Sequence, residues 1–221
     1  MPSAPVPYRE ALSVQHQLHN ARRDGRVPDT VILLEHPPVI TLGRRASRSD
    51  ILASPDTLRR ERADVVEIER GGEVTYHGPG QLVGYFIVDL AEHQRRVREF
   101  VWRMEEVIVQ GMDRWFGISG SRDKDHPGVW VGTEKVAAVG IAIRERVTFH
   151  GFAWNLSPDL SHFDWIVPCG IRDRGQTSVA ALTGTAPNMD ATRRNAAGLI
   201  VELFGYSEWT LRDWPSSVSA I

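Results

Sequence analysis

The chain reads as an α+β protein, a single domain in which a mixed or antiparallel sheet is packed by helices. Three observations predict this. Apolar strand-like runs follow one another with helices inserted at only a few points, instead of alternating with them regularly. No internal repeat, low-complexity tract or long linker interrupts the 221 residues, so one unit spanning 1–221 is expected, with about 1–6 and 207–221 as peripheral tails. A single core in a chain of this length can bury roughly 70% of the unfolded surface, so folding needs no staple.

Tyr8 to Arg23 carries Ala11, Leu12, Leu18 and Ala21 at roughly helical spacing and stops near Gly25, which predicts the first helix. Thr30 to Glu35 and Val39 to Leu42 are short apolar strands separated by Pro37 and Pro38. Val65 to Glu69 and Gln81 to Leu90 read as strands on either side of a glycine-rich connection. From Gln94 to Phe116, Val97, Phe100, Val101, Met104, Val107, Ile108, Met112 and Trp115 fall mostly at three- and four-residue steps; that stripe is expected to be a helix face turned to the core. Gly128 to Val131 and Lys135 to Arg144 form a predicted hairpin around Gly132-Thr133-Glu134, and Val147 to Asn155 a further strand. A short helix is expected from Thr177, whose hydroxyl can cap it, and Asp190 to Phe204 is the last amphipathic helix.

A formal charge of −2 with acids and bases interspersed gives no chain-wide attraction to phosphate backbones, so nucleic acid is not expected as a partner. Arg95, Arg96, Arg98 and Arg103 cluster on the long helix, as a solvated face or as a docking patch. The longest apolar run, Val136 to Ile143, is far too short to cross a bilayer, so no membrane is expected either. The first residues lack the basic and apolar regions of a secretory signal, and one cysteine allows no internal disulfide; both fit a cytoplasmic protein.

That cysteine, Cys169, lies between Pro168 and Gly170, a pair that predicts an irregular stretch of backbone. It is either a nucleophile or a small buried hydrophobe. A thiol with the ordinary pKa of about 8.5 is mostly protonated at neutral pH and must be activated before it attacks. Three side chains are candidates for that work: His77, His150, and Lys135, which enters the apolar run Val-Ala-Ala-Val-Gly and can be desolvated there. A snorkelling surface lysine is the plainer reading of Lys135.

The densest constellation is Arg70-Gly-Gly-Glu-Val-Thr-Tyr-His-Gly-Pro-Gly-Gln81. Its glycines allow positive φ and close approach, which makes it a pocket wall or an ordinary turn-rich connection. No Gly-x-x-x-x-Gly-Lys-Ser/Thr occurs, and Gly78, Gly80 and Gly84 do not fit a dinucleotide fingerprint. The eight histidines form no His-Glu-x-x-His, and one cysteine supplies no Cys-x-x-Cys, so no metal is expected.

Taken together, Arg70 to Gln81, Lys135-Val-Ala-Ala-Val-Gly140, His150-Gly-Phe-Ala-Trp-Asn155 and Pro168-Cys-Gly170 resemble the lipoyl (octanoyl) transferases of lipoate biosynthesis. Glu35-His-Pro-Pro38 with Gly43 is similar to that family's early segment; the likeness runs from about Val31 to Leu182. The resemblance implies an α+β fold related to the catalytic domains of biotin and lipoate protein ligases. It implies octanoyl transfer from octanoyl-acyl carrier protein to a lysine amine of lipoyl domains, those of 2-oxoacid dehydrogenases and the glycine cleavage H protein. Cys169 would carry the acyl group as a thioester, and Lys135 would lower its pKa or act as base. Arg70, Gly71, Gly72, Glu73, Val74, Thr75, Tyr76 and His77 would line the acyl pocket with Ala138, Val139 and Gly140 and with Gly151, Phe152 and Ala153. Gly78, Gly80, Gln81 and His150 would support them.

The chemistry requires no cofactor: a thioester is exchanged for a thioester, and the amide then formed is more stable. Backbone N–H donors would stabilise the tetrahedral oxyanion by roughly 3 kcal/mol each, and the buried chain would contribute about 0.8 kcal/mol per methylene. Three rivals share these residues. One is an ATP-dependent lipoate or biotin ligase of the same fold, one an amidotransferase moving octanoyl between carrier domains, and one a non-catalytic acyl-binding protein with an inert cysteine.

Overall fold

The computed structural model describes residues 4–92, 96–167, 174–212 and 214. Helix α1 (Tyr8–Arg23) precedes strands β1 (Thr30–Leu34) and β2 (Val39–Leu42). A 3-10 turn (Arg48–Asp50) and helix α2 (Pro55–Arg60) lead to β3 (Asp64–Glu67), β4 (Val74–His77) and β5 (Gln81–Ile87). Then follow α3 (Val97–Phe116), β6 (Ser121–Arg122), β7 (Gly128–Val131), β8 (Glu134–Arg144) and β9 (Val147–Asn155). A 3-10 stretch (Leu160–Trp165), α4 (Val179–Thr183) and α5 (Met189–Phe204) complete the order.

Six strands pair antiparallel in the order β1-β5-β9-β8-β7-β6, and a small mixed sheet has the order β3-β2-β4. Strand β5 shows why the large sheet lies in the middle: all seven of its residues are buried. Leu82 and Phe86 point to a core built with Phe100, Met104, Ile108 and Met112 of α3 and Leu199, Ile200 and Phe204 of α5. Val83, Tyr85 and Ile87 point the opposite way, to Tyr8, Ala11, Val14 and Leu18 of α1. Strands covered on both faces read as continuous apolar runs rather than as alternation, which is how this one reads.

The small sheet is also covered twice. Val39 and Val66 join the α1 core, whereas Ile40, Leu42, Val74 and Tyr76 form a third cluster with Phe163 and Ile166. Fold class is therefore as expected, α+β in a single domain. No helix among the described residues is long and apolar enough to cross a membrane.

Several boundaries depart from expectation for identifiable reasons. Strand β4 lies inside the glycine-rich connection, because four residues between Gly72 and Gly78 pair with β2. Strand β5 ends at Ile87, since Val88 N bonds sideways to the Thr148 hydroxyl, and β3 occupies Asp64–Glu67 rather than Val65 to Glu69. Helix α2 starts at Pro55 behind the cap Ser54, whose hydroxyl accepts from Thr57 N at 3.1 Å. Helix α4 is capped by Ser178, which accepts from Ala181 N at 3.1 Å, and not by Thr177. Thr177 is engaged elsewhere: its N–H donates to Lys135 O and its carbonyl accepts from Asn155 Nδ2, so the helix begins one residue later. Of the basic residues expected on α3, Arg103 is paired with Glu99 and Arg95 lies outside the described residues.

Phe204 fills the gap between Phe86 and Phe100, with ring centroids 5.4 and 5.6 Å away. Phe204→Ala should therefore lower unfolding free energy in urea by about 3–5 kcal/mol. A loss below about 1 kcal/mol would mean that α5 does not seal this core.

Candidate active site

Antiparallel pairing gathers the candidate residues at one end of the large sheet. Gln81 pairs with Asn155 and Ala137 with Trp154, so the starts of β5 and β8 lie beside the end of β9. Across that end runs the chain from Arg174 to Ser178. Lys135 N donates to Gly175 O and Thr177 N donates to Lys135 O, each at 3.0 Å, and Asn155 Nδ2 holds Thr177 O at 3.0 Å.

Lys135 is 6% exposed. Its cross-strand partner is Trp130, aligned with it by a register shift between Val129 and Trp130. Bulges re-aim side chains in this way. The ammonium lies 4.7 Å over the Trp130 ring and 3.4 Å from Pro127 O. Gly128 sits against its stem with φ +137°; any Cβ there would run into Ala137 O and come within 3.4 Å of Lys135 Cε. Gly128 N donates to the buried carboxylate of Glu105 at 2.8 Å. Burial pushes the Glu105 pKa up, against the pull of the Gly128 N–H, Arg122 and Lys135.

The Arg70 to Glu73 segment is folded onto β8. Arg70 bonds to Gly71 O at 3.0 Å and to Glu73 O at 2.6 Å, while Gly71 N donates to Ile141 O at 3.1 Å. The arginine stem occupies the space over Gly140, where a Cβ would be 3.0 Å from Arg70 Cδ. Gly72 O accepts from Arg45 N on the adjoining loop. Ala138, Val139 and Gly140 pair with Ala153, Phe152 and Gly151. The set is thus brought together as backbone, but its side chains divide. Phe152 and Val139 belong to the α3-side core and Ala153 to the α1-side core. Val74 and Tyr76 face the third cluster, and by alternation Thr75 and His77 face away from it.

The Gly78-Pro79-Gly80 turn is held from two sides. Gly80 N donates to Glu35 Oε1 at 2.8 Å, and the other oxygen of that carboxylate faces the buried Arg193 at 3.5 Å. Gln81 accepts at 3.2 Å from His77 Nδ1 and donates at 3.2 Å to Tyr76 O. The Tyr76 hydroxyl is hydrogen-bonded to His162 Nδ1 at 2.7 Å beside a cavity of about 440 Å³ lined by Glu35, Pro38, Gly80 and Asp159.

Beneath the glycine-rich segment lie three neutral histidines. Burial lowers the pKa of His36 to about 4, of His77 well below the usual 6.5, and of His150 to about 3; the Arg70 charge adds to the last two. Neutral His36 has one N–H. Nδ1 faces the Val6 carbonyl at 2.6 Å and must donate to it, so Nε2 accepts from the Tyr85 hydroxyl at 2.6 Å. Tyr85 in turn is hydrogen-bonded to Tyr8. His150 has φ +61°, and its backbone N donates to Gln15 Oε1 at 2.8 Å. Neither His77 nor His150 is a cation at neutral pH.

Cys169, with Pro168 and Gly170, lies outside the described residues. Among those described, no three His, Cys, Asp or Glu side chains form a set that could hold a metal ion. Glu105 and Arg174 carry no signal in the sequence, because each acquires its place from residues far along the chain, and Trp130 none because its alignment with Lys135 depends on the register shift in β7.

Residues 7–198 match the lipoyl protein ligase A/B catalytic domain family. An octanoyltransferase of Caldicellulosiruptor bescii is 46% identical over 203 residues, covering 91% of this chain and 89% of that protein. One of Alkaliphilus metalliredigens is 43% identical over 199 residues, 90% and 91% of the two chains. Among solved structures, a lipoate-protein ligase A bound with ATP superposes with a TM-score of 0.74 at 15% identity, covering 91% of this chain and 83% of that one. A bipartite lipoate protein ligase of Thermoplasma acidophilum gives 0.69 at 12% identity, covering 91% and 82%. At such identities these two establish the shared fold.

The histidines set an acid limit on stability. The unfolded chain binds protons at these positions below about pH 6.5, whereas the native state resists doing so. Stability is therefore full above about pH 6.5 and falls as pH drops towards 4, by up to ~1.4 kcal/mol per unit for each histidine. Urea midpoints measured from about pH 8 down to 4 should decline below 6.5; a level midpoint would show that the imidazoles are not held neutral.

Proposed function

Because the chain belongs to the lipoyl protein ligase A/B catalytic domain family, we propose that it transfers an octanoyl group from octanoyl-acyl carrier protein to a lysine of lipoyl domains, by way of Cys169. Acyl transfer of this kind is what the octanoyltransferase relatives support. In the first half-reaction the Cys169 thiolate attacks the carrier's thioester carbonyl. A new C–S bond forms, the old one breaks, and the carrier thiol leaves with the proton that Cys169 gave up. In the second, the acceptor lysine's neutral amine attacks the acyl-enzyme. A C–N bond forms, the Cys169–acyl bond breaks, and a proton from the amine returns to the thiolate.

The observation that carries this reading is the pair of hydrogen bonds joining Lys135 to Gly175 and Thr177. Gly175 is six residues beyond Cys169, a tether that spans at most about 20 Å even when extended. Within that reach, a buried ammonium brought to about 4–6 Å of the sulfur would stabilise a thiolate, each unit of depressed thiol pKa corresponding to about 1.4 kcal/mol. The acyl chain would lie between the Arg70 to His77 segment and the strands of Ala138 to Gly140 and Gly151 to Ala153, with Gly78, Gly80, Gln81 and His150 behind it. Acceptors would be the lipoyl domains of 2-oxoacid dehydrogenases and the glycine cleavage H protein. A reducing compartment such as the cytoplasm keeps the single thiol in the form this chemistry needs.

Incubation with octanoyl-acyl carrier protein should leave one octanoyl group on Cys169 by mass spectrometry, absent in Cys169→Ala, and passed to a lipoyl domain equally with and without ATP. Lys135→Ala should move the pH profile of Cys169 alkylation upward. An adduct elsewhere, or transfer that requires ATP, would overturn the assignment in favour of a ligase or a different nucleophile.

A further inference from the structure

Two cations share one indole ring at the active end of the sheet. Besides the Lys135 ammonium at 4.7 Å, the Arg174 guanidinium lies 4.9 Å from the centroid of Trp130. The ring is fixed: it is 3% exposed, its indole N–H donates to His126 O at 3.2 Å, and Ser121 Oγ donates to Trp130 O at 3.3 Å. The loop that receives the indole N–H also serves both cations. Its Pro127 carbonyl faces Lys135, and its Asp123 carboxylate is paired with Arg174 while accepting from Asp125 N and His126 N at 2.9 and 3.1 Å.

Like charges brought this close repel unless something offsets them. Here the offsets are built in: the electron-rich indole contacts both, Asp123 neutralises Arg174, and the Glu105 carboxylate lies near Lys135. With the ring and the aspartate in place, the two positive groups are held at the indole, 4.7 and 4.9 Å from its centroid.

We infer that Trp130, supported by Asp123 acting through Arg174, is a positioning residue for Lys135: one indole ring contacts both the Lys135 and Arg174 cations and so fixes where the ammonium stands. This rests on the reading of Lys135 as the partner of Cys169, and it concerns that partner's placement alone.

The seat has a readout independent of activity. The chain contains two lysines, Lys124 and Lys135, so protein labelled with ¹³C-lysine gives two ε-methylene signals. The Lys135 signal should be shifted upfield by the indole ring current, keep most of that shift in Trp130→Phe, and lose it in Trp130→Leu. In steady-state assays of the full chain, Trp130→Leu and Asp123→Asn should each lower kcat about tenfold or more with KM for the octanoyl carrier within about twofold. Trp130→Phe should recover most of the rate, and the pH profile of Cys169 alkylation should move in the leucine and asparagine variants in the direction seen for Lys135→Ala. If Trp130→Leu does not fold, Asp123→Asn and Trp130→Phe decide. An unshifted Lys135 signal in the parent protein, or full kcat with an unmoved profile in folded Trp130→Leu or in Asp123→Asn, would overturn the inference. If Lys135→Ala leaves the profile unmoved while the ring-current shift is present, the seat stands and it is the cysteine–lysine pairing that fails.

Discussion

The backbone of Lys135 is bonded on both sides to the incoming chain, its N–H to Gly175 and its carbonyl to Thr177. Much of the active end follows from these two bonds. Thr177, drawn onto β8 and held again by Asn155, cannot cap α4, so Ser178 does. Arg174 is delivered to Trp130 because the residue after it is fixed to β8. The register shift in β7 then completes the arrangement by setting Trp130 directly opposite Lys135. Main-chain hydrogen bonds suit such a task because they do not depend on which side chains are present.

The Arg70 to Glu73 segment is organised by close approach. Arg70 lies flat over Gly140 and folds back to bond the carbonyls of its own turn, so a charged side chain serves there as a shaped wall. Its charge also reaches beneath, where it helps keep His77 and His150 neutral. The proposed pocket for a saturated chain would benefit from this, since a neutral imidazole is far less costly to leave in apolar surroundings than a charged one.

What the sequence made legible, and what it hid, divides along contact distance. The α3 stripe, the β7–β8 hairpin and the doubly buried β5 are local patterns, and they were readable because period and composition are properties of contiguous residues. Strand β4 was hidden because four residues between glycines are too few to show a period, and α2 because a six-residue helix of Pro-Asp-Thr-Leu-Arg-Arg has almost no apolar face. The division of the pocket residues between two cores was latent in their alternation but needed the partner strands to give it direction. The seat around Lys135 could not be read at all. Glu105 looks like one more polar residue on an amphipathic helix, and Asp123 like loop polarity, until folding places them beside the same strand pair.

The depth at which Lys135 lies bears on a hazard peculiar to the proposed chemistry. A thioester waiting for a lysine will acylate whichever amine reaches it first, its own protein's included. Lys135 is 6% exposed, with a ring and a carbonyl against its amine, and offers a poor line of attack. The only other lysine, Lys124, stands in a loop between Asp123 and Asp125. Among its 26 basic residues the chain uses arginine everywhere else, and a guanidinium, protonated throughout the physiological range, is no competitor for the acyl group. If it builds amides on lysine as proposed, the chain is thereby nearly free of sites on which to inactivate itself.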